Sequence, residues 1–459
     1  MWRAFFNTLK VKELRTRLLF TALIIVLVRV ASNIPCPGIN PAALERFIKD
    51  VTQSSGSEGG FVQLIDLFSG GALAHFALGA LGIMPYITAS IILQLLIPVI
   101  PQLEKMQREG ESGRQKITQY TRYLTILVCV VQGVMVALAM VNPAKLHLPQ
   151  PVEPLYMGSA SVFVPVTVLV ITCTTMVFTW LGEQITERGI GNGVSLIITI
   201  GIVSRLPHSI IELVQMASAG KTPGGVTFGP VQLLLLLVVF CAVTAATILL
   251  SQGYRRVPIQ MIRKTIGKSM NTGSTYMPLK VNFANVMPII FAGAIMMVPE
   301  FIFQTLATKY GGVWITLTTL FRQDGAGYMI LYGALILVFC FFWVANQFNP
   351  LQIADNLKKE SSYIPGISPG QPTADFLDAT MTKVTAGGAV FLLVLALFPM
   401  FLYSKFDIPF MVAQFFGGTS LLIMVGVVLD TMSQLESHLT MRHYEGFLKS
   451  GRLKSRSGH

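Results

Sequence analysis

The sequence predicts an all-α, polytopic membrane protein. Ten transmembrane helices fall in two pseudo-symmetric, inverted five-helix halves, with one short re-entrant helix. Three observations predict this. Of 459 residues, 53% are hydrophobic and only 12% are charged, about half the charged share of a soluble protein. The apolar residues are grouped in runs long enough to cross a hydrocarbon core about 30 Å thick, which takes roughly 20 residues of helix. The basic residues are segregated to one side of those runs.

Residues 1–17 form a basic, amphipathic N-terminal segment with five Lys and Arg. The apolar run that follows, 18–34, is too long for the core of a cleavable signal peptide, so it is the first span. The remaining spans are at about 76–100, 119–141, 162–182, 190–206, 230–250, 284–304, 328–347, 384–403 and 410–430. With the N-terminus inside, and Arg122 and Arg205 near span ends counted with the loops they adjoin, inner segments hold 25 of the 34 Lys and Arg, outer loops hold 8, and Arg29 lies within the first span. That is a strong positive-inside bias and places both termini in the cytoplasm. The long inner loops are 252–283 and 348–383, and a basic cytosolic tail covers 431–459.

Residues 61–75 are apolar but too short to cross, and Ser69-Gly70-Gly71 interrupts them. Irregular backbone at membrane depth is tolerated only where protein or a water-filled cavity covers it, so this segment predicts a cavity. Five spans (18–206) precede an external hinge loop at 207–229, and five (230–430) follow. An odd number in each half inverts the second relative to the first, an arrangement common among transport proteins.

Several chemistries are excluded. Gly267-Lys268-Ser269 resembles the end of a phosphate-binding loop, but Ile262 stands where that motif needs glycine. His438 and His443 are off the spacing of a helical metal pair, and no metal site or cofactor is expected. Cys36, Cys129, Cys173, Cys241 and Cys340 are dispersed, with no disulfide or metal pattern. Ionisable residues within spans are nearly missing, with Glu183 and Asp430 at inner ends. This argues against an ion-coupled solute carrier, which would show buried carboxylates. A membrane insertase without an aqueous pore is the other alternative, and the re-entrant segment argues against it.

Seven sequence blocks, in order, carry a family resemblance. They are residues 68–73 (FSGGAL), 80–96 (ALGIMPYITASIILQLL), 109–123 (EGESGRQKITQYTRY), 180–193 (WLGEQITERGIGNG), 277–282 (MPLKVN), 354–359 (ADNLKK) and 416–423 (FGGTSLLI). Over residues 15–444 the chain resembles the SecY family, the channel subunits of bacterial protein translocases. The resemblance implies a non-enzymatic channel of the inner membrane. Such a channel passes unfolded secretory polypeptides across the bilayer and releases hydrophobic segments sideways into it. It also implies that the re-entrant segment is a plug, built around Leu64, Ile65, Asp66, Leu67, Phe68, Ser69, Gly70 and Gly71.

Position by position, the family's aliphatic pore ring corresponds to Ile83, Ile87, Ile198, Ile290 and Ile423. A narrow apolar ring dewets and blocks ions, yet offers no fixed hydrogen-bond pattern to a passing chain. Without the resemblance, these would be ordinary packed isoleucines. The family's lateral gate lies between spans two and three and spans seven and eight, which nominates Gln94, Gln132, Asn282 and Asn285. Interhelical hydrogen bonds of about 0.6–2 kcal/mol each would hold such a seam and let it open. Plain helix-packing contacts are the alternative for these four.

Loop 252–283 carries Arg255, Arg256, Arg263, Lys264, Lys268 and Lys280 with no acidic residue, more than topology requires. With Lys358 and Lys359 of the next inner loop, these predict docking to an anionic partner. The partners implied by the resemblance are the ribosome with its RNA, the SecA motor ATPase, SecE-like and SecG-like small subunits, signal sequences and nascent polypeptides, and membrane lipids. The chain departs from the family at Ser368, where an arginine is usual between Ile and Pro-Gly. It departs again at Ser251-Gln252, where a charged pair is expected.

Overall fold

The computed structural model describes residues 12–44, 46–47, 70–73, 75–142, 154–220, 229–261, 274–310, 312–321, 325–406, 408, 410–416 and 419–450. The chain forms two compact units, Met1–Leu206 with Gly426–His459, and Pro207–Val425.

The first unit begins with α1 (Lys12–Ala31), which buries Leu14, Thr21, Ile24 and Val28 along one face. Residues 70–73 and 75–83 run in turns rather than as the start of the predicted second span. Gly70, Gly71 and Gly82 are left-handed, at φ +67°, +93° and +54°, a conformation glycine adopts without a Cβ penalty. The helix α2 (Met84–Leu96) starts only at Met84, with a proline in its first turn. It is followed by α3 (Pro101–Arg108), and the two are bent by 104°. Pro98 and Pro101 cannot donate the backbone bonds that would carry the helix through.

Two long helices, α4 (Glu111–Val141) and α5 (Ala160–Arg188), pack through a seam of small residues. On α4 these are Thr121, Thr125, Cys129, Gly133 and Ala137, every fourth position, all buried. On α5 they include Thr175 and Thr179, both buried. Small residues let helix backbones approach where lipid supplies no hydrophobic drive. Their hydroxyls bond back into the helix, Thr125 Oγ1 to Thr121 O at 2.7 Å and Thr179 Oγ1 to Thr175 O at 2.9 Å. Toward one end, Arg122 bridges both carboxylate oxygens of Glu183, with Nε to Oε1 at 3.1 Å.

A tight turn joins α5 to α6 (Gly193–Ala219). This helix runs past Pro207 to Ala219, so most of the predicted hinge loop is helical. The last helix, α14 (Thr419–Ser450), ends in this unit: Gln434 Oε1 accepts from the Gly191 backbone N–H at 2.9 Å, and Leu435 packs with Leu14 and Ile190.

The second unit holds α7 (Pro230–Gln252), α8 (Met287–Tyr310), α9 (Val313–Leu320), α10 (Ala326–Gln347), α11 (Pro350–Lys359), α12 (Gln371–Phe406), α13 (Phe410–Phe416) and the first turns of α14 (Thr419–Ser450). Its core joins Ile289, Ala292 and Met296 of α8 to Tyr332, Ile336 and Cys340 of α10 and to Leu392 and Leu395 of α12.

The fold is mostly helical, with one difference from the all-α expectation. Within loop 252–283, β1 (Tyr254–Met261) pairs antiparallel with β2 (Ser274–Lys280), and β3 (Ser362–Tyr363) adds to β1 at Gln260 and Met261. The strand period explains it: Val257 and Ile259 alternate inward and are buried, as is Leu279 opposite. Seven helices among the described residues are each long and apolar enough to cross a membrane, or eight if the bent pair counts as one crossing. A helix occupies part of each of the ten predicted spans. Three of these helices lie outside the seven: α1, which carries charges at both ends, α2, which is short, and α8, which has Pro299 and Glu300 in its interior.

A Cβ at Gly193 would collide with the Gly182 carbonyl oxygen and stand 2.7 Å from Ile185 Cβ. Overpacking of this kind costs about 1–3 kcal/mol. We expect Gly193→Ala to lower the thermal unfolding midpoint in detergent, while Gly387→Ala, where a Cβ meets nothing within 4 Å, leaves it unchanged or raises it.

Candidate functional site

The start of α2 sets the geometry of the first unit's site. Ile83 caps the helix and is 3% exposed, and Ile87 lies one turn further on. With Ile198 of α6 they join one apolar cluster that includes Ile24, Val28, Phe178 and Ile197. The three predicted ring residues also line one small cleft, together with Arg29 and Gly201. Its isoleucines are β-branched and stiff at the first side-chain torsion, so the wall is firm and apolar. Ile290 and Ile423 belong to the second unit, on α8 and α14. Ile290 is half-buried and Ile423 is 7% exposed.

Next to these isoleucines, Arg29 makes contacts that sequence reading left undefined. Its Nη2 donates to Gly70 O at 2.8 Å and to Ser204 Oγ at 2.8 Å. Ser204 Oγ in turn donates to Gly201 O at 2.7 Å. The diglycine turn is therefore held where it touches α6. A Cβ at Gly70 would collide with the Arg29 guanidinium and stand 2.8 Å from Gly201 Cα, and one at Gly71 would stand 2.8 Å from the Arg205 guanidinium carbon. Only glycine fits at either position. Of the plug residues read from the sequence, Gly70 and Gly71 make this turn, while Leu64, Ile65, Asp66, Leu67, Phe68 and Ser69 lie outside the described residues. An arginine inside an apolar span is itself a functional signal, the one sequence feature that could have pointed to this clasp.

The four gate residues sit in different environments. Gln94, half-buried on α2, donates within its own helix to Ser90 Oγ at 3.1 Å, and its buried Oε1 has no partner among the described residues. Gln132 is half-buried on α4. Asn282 is 5% exposed and lines a small cleft within its own unit, beside Cys340 and Thr385. Asn285 is exposed and left-handed, at φ +51°, a backbone state asparagine tolerates better than most residues. Like the Gln94 Oε1, the buried Asn282 Oδ1 has no hydrogen-bond partner among the described residues.

The hairpin presents a basic, aromatic face. Tyr254 and Arg256 on β1, with Tyr276 and Lys280 on β2, are all exposed and share one side of the sheet by strand alternation. Arg256 stacks over Tyr254 at 5.2 Å and donates to its hydroxyl at 2.9 Å. Arg255 is exposed on the same strand, and Lys358 and Lys359 are exposed in the last turn of α11. Arg263, Lys264 and Lys268 lie outside the described residues. The tyrosines were not singled out from the sequence, because only strand pairing brings them beside the cations.

Residues 77–432 match the SecY family model. The chain is 41% identical to a protein translocase subunit SecY of Chlamydia muridarum, covering 97% of this chain and 98% of that protein. It is 40% identical to its counterpart in Escherichia coli K12, with 96% and 95% covered. Among solved structures it is similar to a protein-conducting channel, with a TM-score of 0.59 at 17% identity, covering 95% of this chain and 94% of the other. It is also similar to the Sec61 chain of a canine ribosome-channel complex from the endoplasmic reticulum, with a TM-score of 0.56 at 16% identity and the same coverage.

The Arg29 clasp has a direct test. Ala72, buried in the turn, is replaced by cysteine in a background without the native thiols. A charged hydrogen bond is worth about 1.5–3 kcal/mol. We therefore expect Arg29→Ala to speed labelling of Ala72→Cys by a water-soluble maleimide on the order of tenfold. Unchanged labelling would mean that Arg29 does not hold the turn.

Proposed function

The chain belongs to the SecY family, and from that premise we propose that its isoleucine cleft is half of the pore through which polypeptide passes. As a channel subunit of the Sec translocase, it is a non-enzymatic, multi-pass membrane protein that conducts unfolded polypeptides. The observation that carries the pore reading is the convergence of Ile83, Ile87 and Ile198 on one apolar cleft beside the clasped diglycine turn. Ile290 and Ile423 complete the ring. An apolar constriction holds no ion and no fixed water, so it seals when empty. It also forms no directional bonds with a chain sliding past. Residues 64–71 act as the plug, and Arg29 fixes its C-terminal end.

A coupled carrier would need titratable groups along its path. Among the described residues no carboxylate or histidine is buried, which favours the channel. The driving force comes from outside the chain. The basic, aromatic hairpin face is the docking surface in the cytoplasm: stacked Arg and Tyr suit RNA bases and backbone, as on a ribosome, and the same charges steer an acidic motor surface. The solved relative in a ribosome-channel complex supports the first of these. Both termini are cytoplasmic, the membrane is the bacterial inner membrane, and small SecE-like and SecG-like subunits complete the assembly. Hydrophobic segments leave sideways between spans two and three and spans seven and eight, with Gln94 and Gln132 on one edge. A signal helix that binds the open state better shifts the equilibrium toward it.

The pore reading predicts that photo-crosslinkers at Ile83, Ile290 and Ile423 capture a stalled secretory chain in reconstituted vesicles, while one at Val394, 61% exposed on α12, does not. Active vesicles without capture at any of the three isoleucines would remove the ring assignment. The docking reading predicts that Arg256→Glu with Lys280→Glu weakens ribosome binding by about tenfold at low salt. The loss should shrink as salt rises, because the removed contacts are ionic. Equal binding by both forms would place docking elsewhere.

A further inference from the structure

The short helix α9 (Val313–Leu320, VWITLTTL) is too short to cross a membrane and carries no charged residue. It lies between α8 and α10, in a connection that composition alone would leave in water. None of its residues is buried. Val313, Ile315 and Leu320 are 74%, 54% and 48% exposed, an unusual surface for a solvated loop.

Its depth follows from its aromatic contacts. Trp314 packs against Phe303 of α8, ring centres 6.3 Å apart, and Phe321, just past α9, meets the same ring at 5.0 Å. Phe303 is seven residues before Tyr310, the end of α8, which is about 10 Å along the helix. It also falls inside the apolar stretch 284–304 that forms the seventh predicted span. The helix α9 therefore lies folded back along α8 at the level of the span's outer end. Leu320 is held against the start of α10, where a Cβ at Gly327 would stand 2.7 Å from Leu320 Cγ.

The exposed face decides the depth further. It sets Val313, Ile315 and Leu320 around Thr316 and Thr319, and Thr319 Oγ1 bonds back to Ile315 O and Thr316 O at 3.1 and 2.8 Å. Aliphatic side chains bracketing hydroxyls suit the boundary between acyl chains and headgroups better than the hydrocarbon centre. This face continues the lipid-facing surface of its neighbours, where Ile302 of α8 is 45% exposed and Ile330 of α10 is 74% exposed. We propose that α9 is seated in the headgroup–acyl boundary of the outer leaflet, with phospholipid as its partner. Trp314, Phe303 and Phe321 then form an aromatic anchor at the outer end of α8. The proposal rests on reading α8 and α10 as spans. Because α8 is also assigned to the lateral gate, opening that gate would drag α9 through the interface.

The test uses the full chain, without native cysteines, in phosphatidylcholine–phosphatidylglycerol vesicles. A nitroxide is attached at Ile315→Cys. Controls are Arg255→Cys on the hairpin and Leu237→Cys on α7, a 58% exposed span position. The expected ratio of oxygen to nickel-complex collisions at Ile315 falls between those of the two controls. A ratio equal to that at Arg255 would mean a water-exposed helix, and shielding from both reagents would mean a protein partner; either overturns the proposal. A water-accessible Leu237 label would remove the span reading and the proposal with it. A second measurement keeps the native cysteines. With Trp2, Trp180 and Trp343 changed to Phe, Trp314 fluorescence should be quenched more by lipids brominated near the headgroup than near the bilayer centre. The absence of quenching by either lipid would overturn the seat.

Discussion

Every backbone polar group at membrane depth must find a partner within the protein, and the rest of this structure depends on how that condition is met at residues 70–83. A continuous helix would satisfy it automatically. Here the chain runs in turns, bonded partly within the stretch itself and partly to neighbouring chain. The Cys36 N–H donates to Phe76 O at 2.9 Å, Leu78 N–H to Ile34 O at 2.8 Å, and Ala77 N–H to Ala72 O at 2.7 Å. Arg29 supplies the donor for Gly70 O. Because this stretch is not helical, α2 starts late, and Ile83 and Ile87 stand at its first turn, facing the cleft.

The packing around the cleft divides labour. The seam of α4 and α5 is made of small residues at four-residue spacing, with hydroxyls returned to their own helices and an Arg122–Glu183 bridge toward one end. Such a seam has little freedom, since backbones in close contact cannot slide without collision. The second unit is built differently, from aromatic and large aliphatic side chains of α8, α10 and α12. Phe291 stacks on Phe339 at 5.4 Å and leans on Trp343 at 5.6 Å. Contacts of this kind are adaptable, which suits a helix assigned to a gate. Part of the charge of loop 252–283 is carried by a short sheet with buried Val257 and Ile259, so these cations project from a firm support rather than from a loose loop.

Much of this was legible in the sequence. Hydropathy is a local, additive property, so runs of about twenty apolar residues located the helices, and the Lys and Arg counts around them set the expected orientation. The glycines before Ile83 marked a break, and the sequence blocks between residues 68 and 423 carried the family. The count of basic residues in loop 252–283 pointed to an anionic partner. What remained hidden depends on residues distant in the chain meeting in space. Arg29 reaches residues 41 and 175 positions away. Gln434 bonds a turn 243 positions earlier, drawing the end of α14 into the first unit. Tyr254 and Tyr276 become a basic-aromatic face only through strand register, and Asn282 is buried only because α10 and α12 close over it. The depth of α9 follows from one phenylalanine on the preceding helix. Composition is summed along the chain and can be read from it; a contact depends on a distance, and only the folded chain sets that.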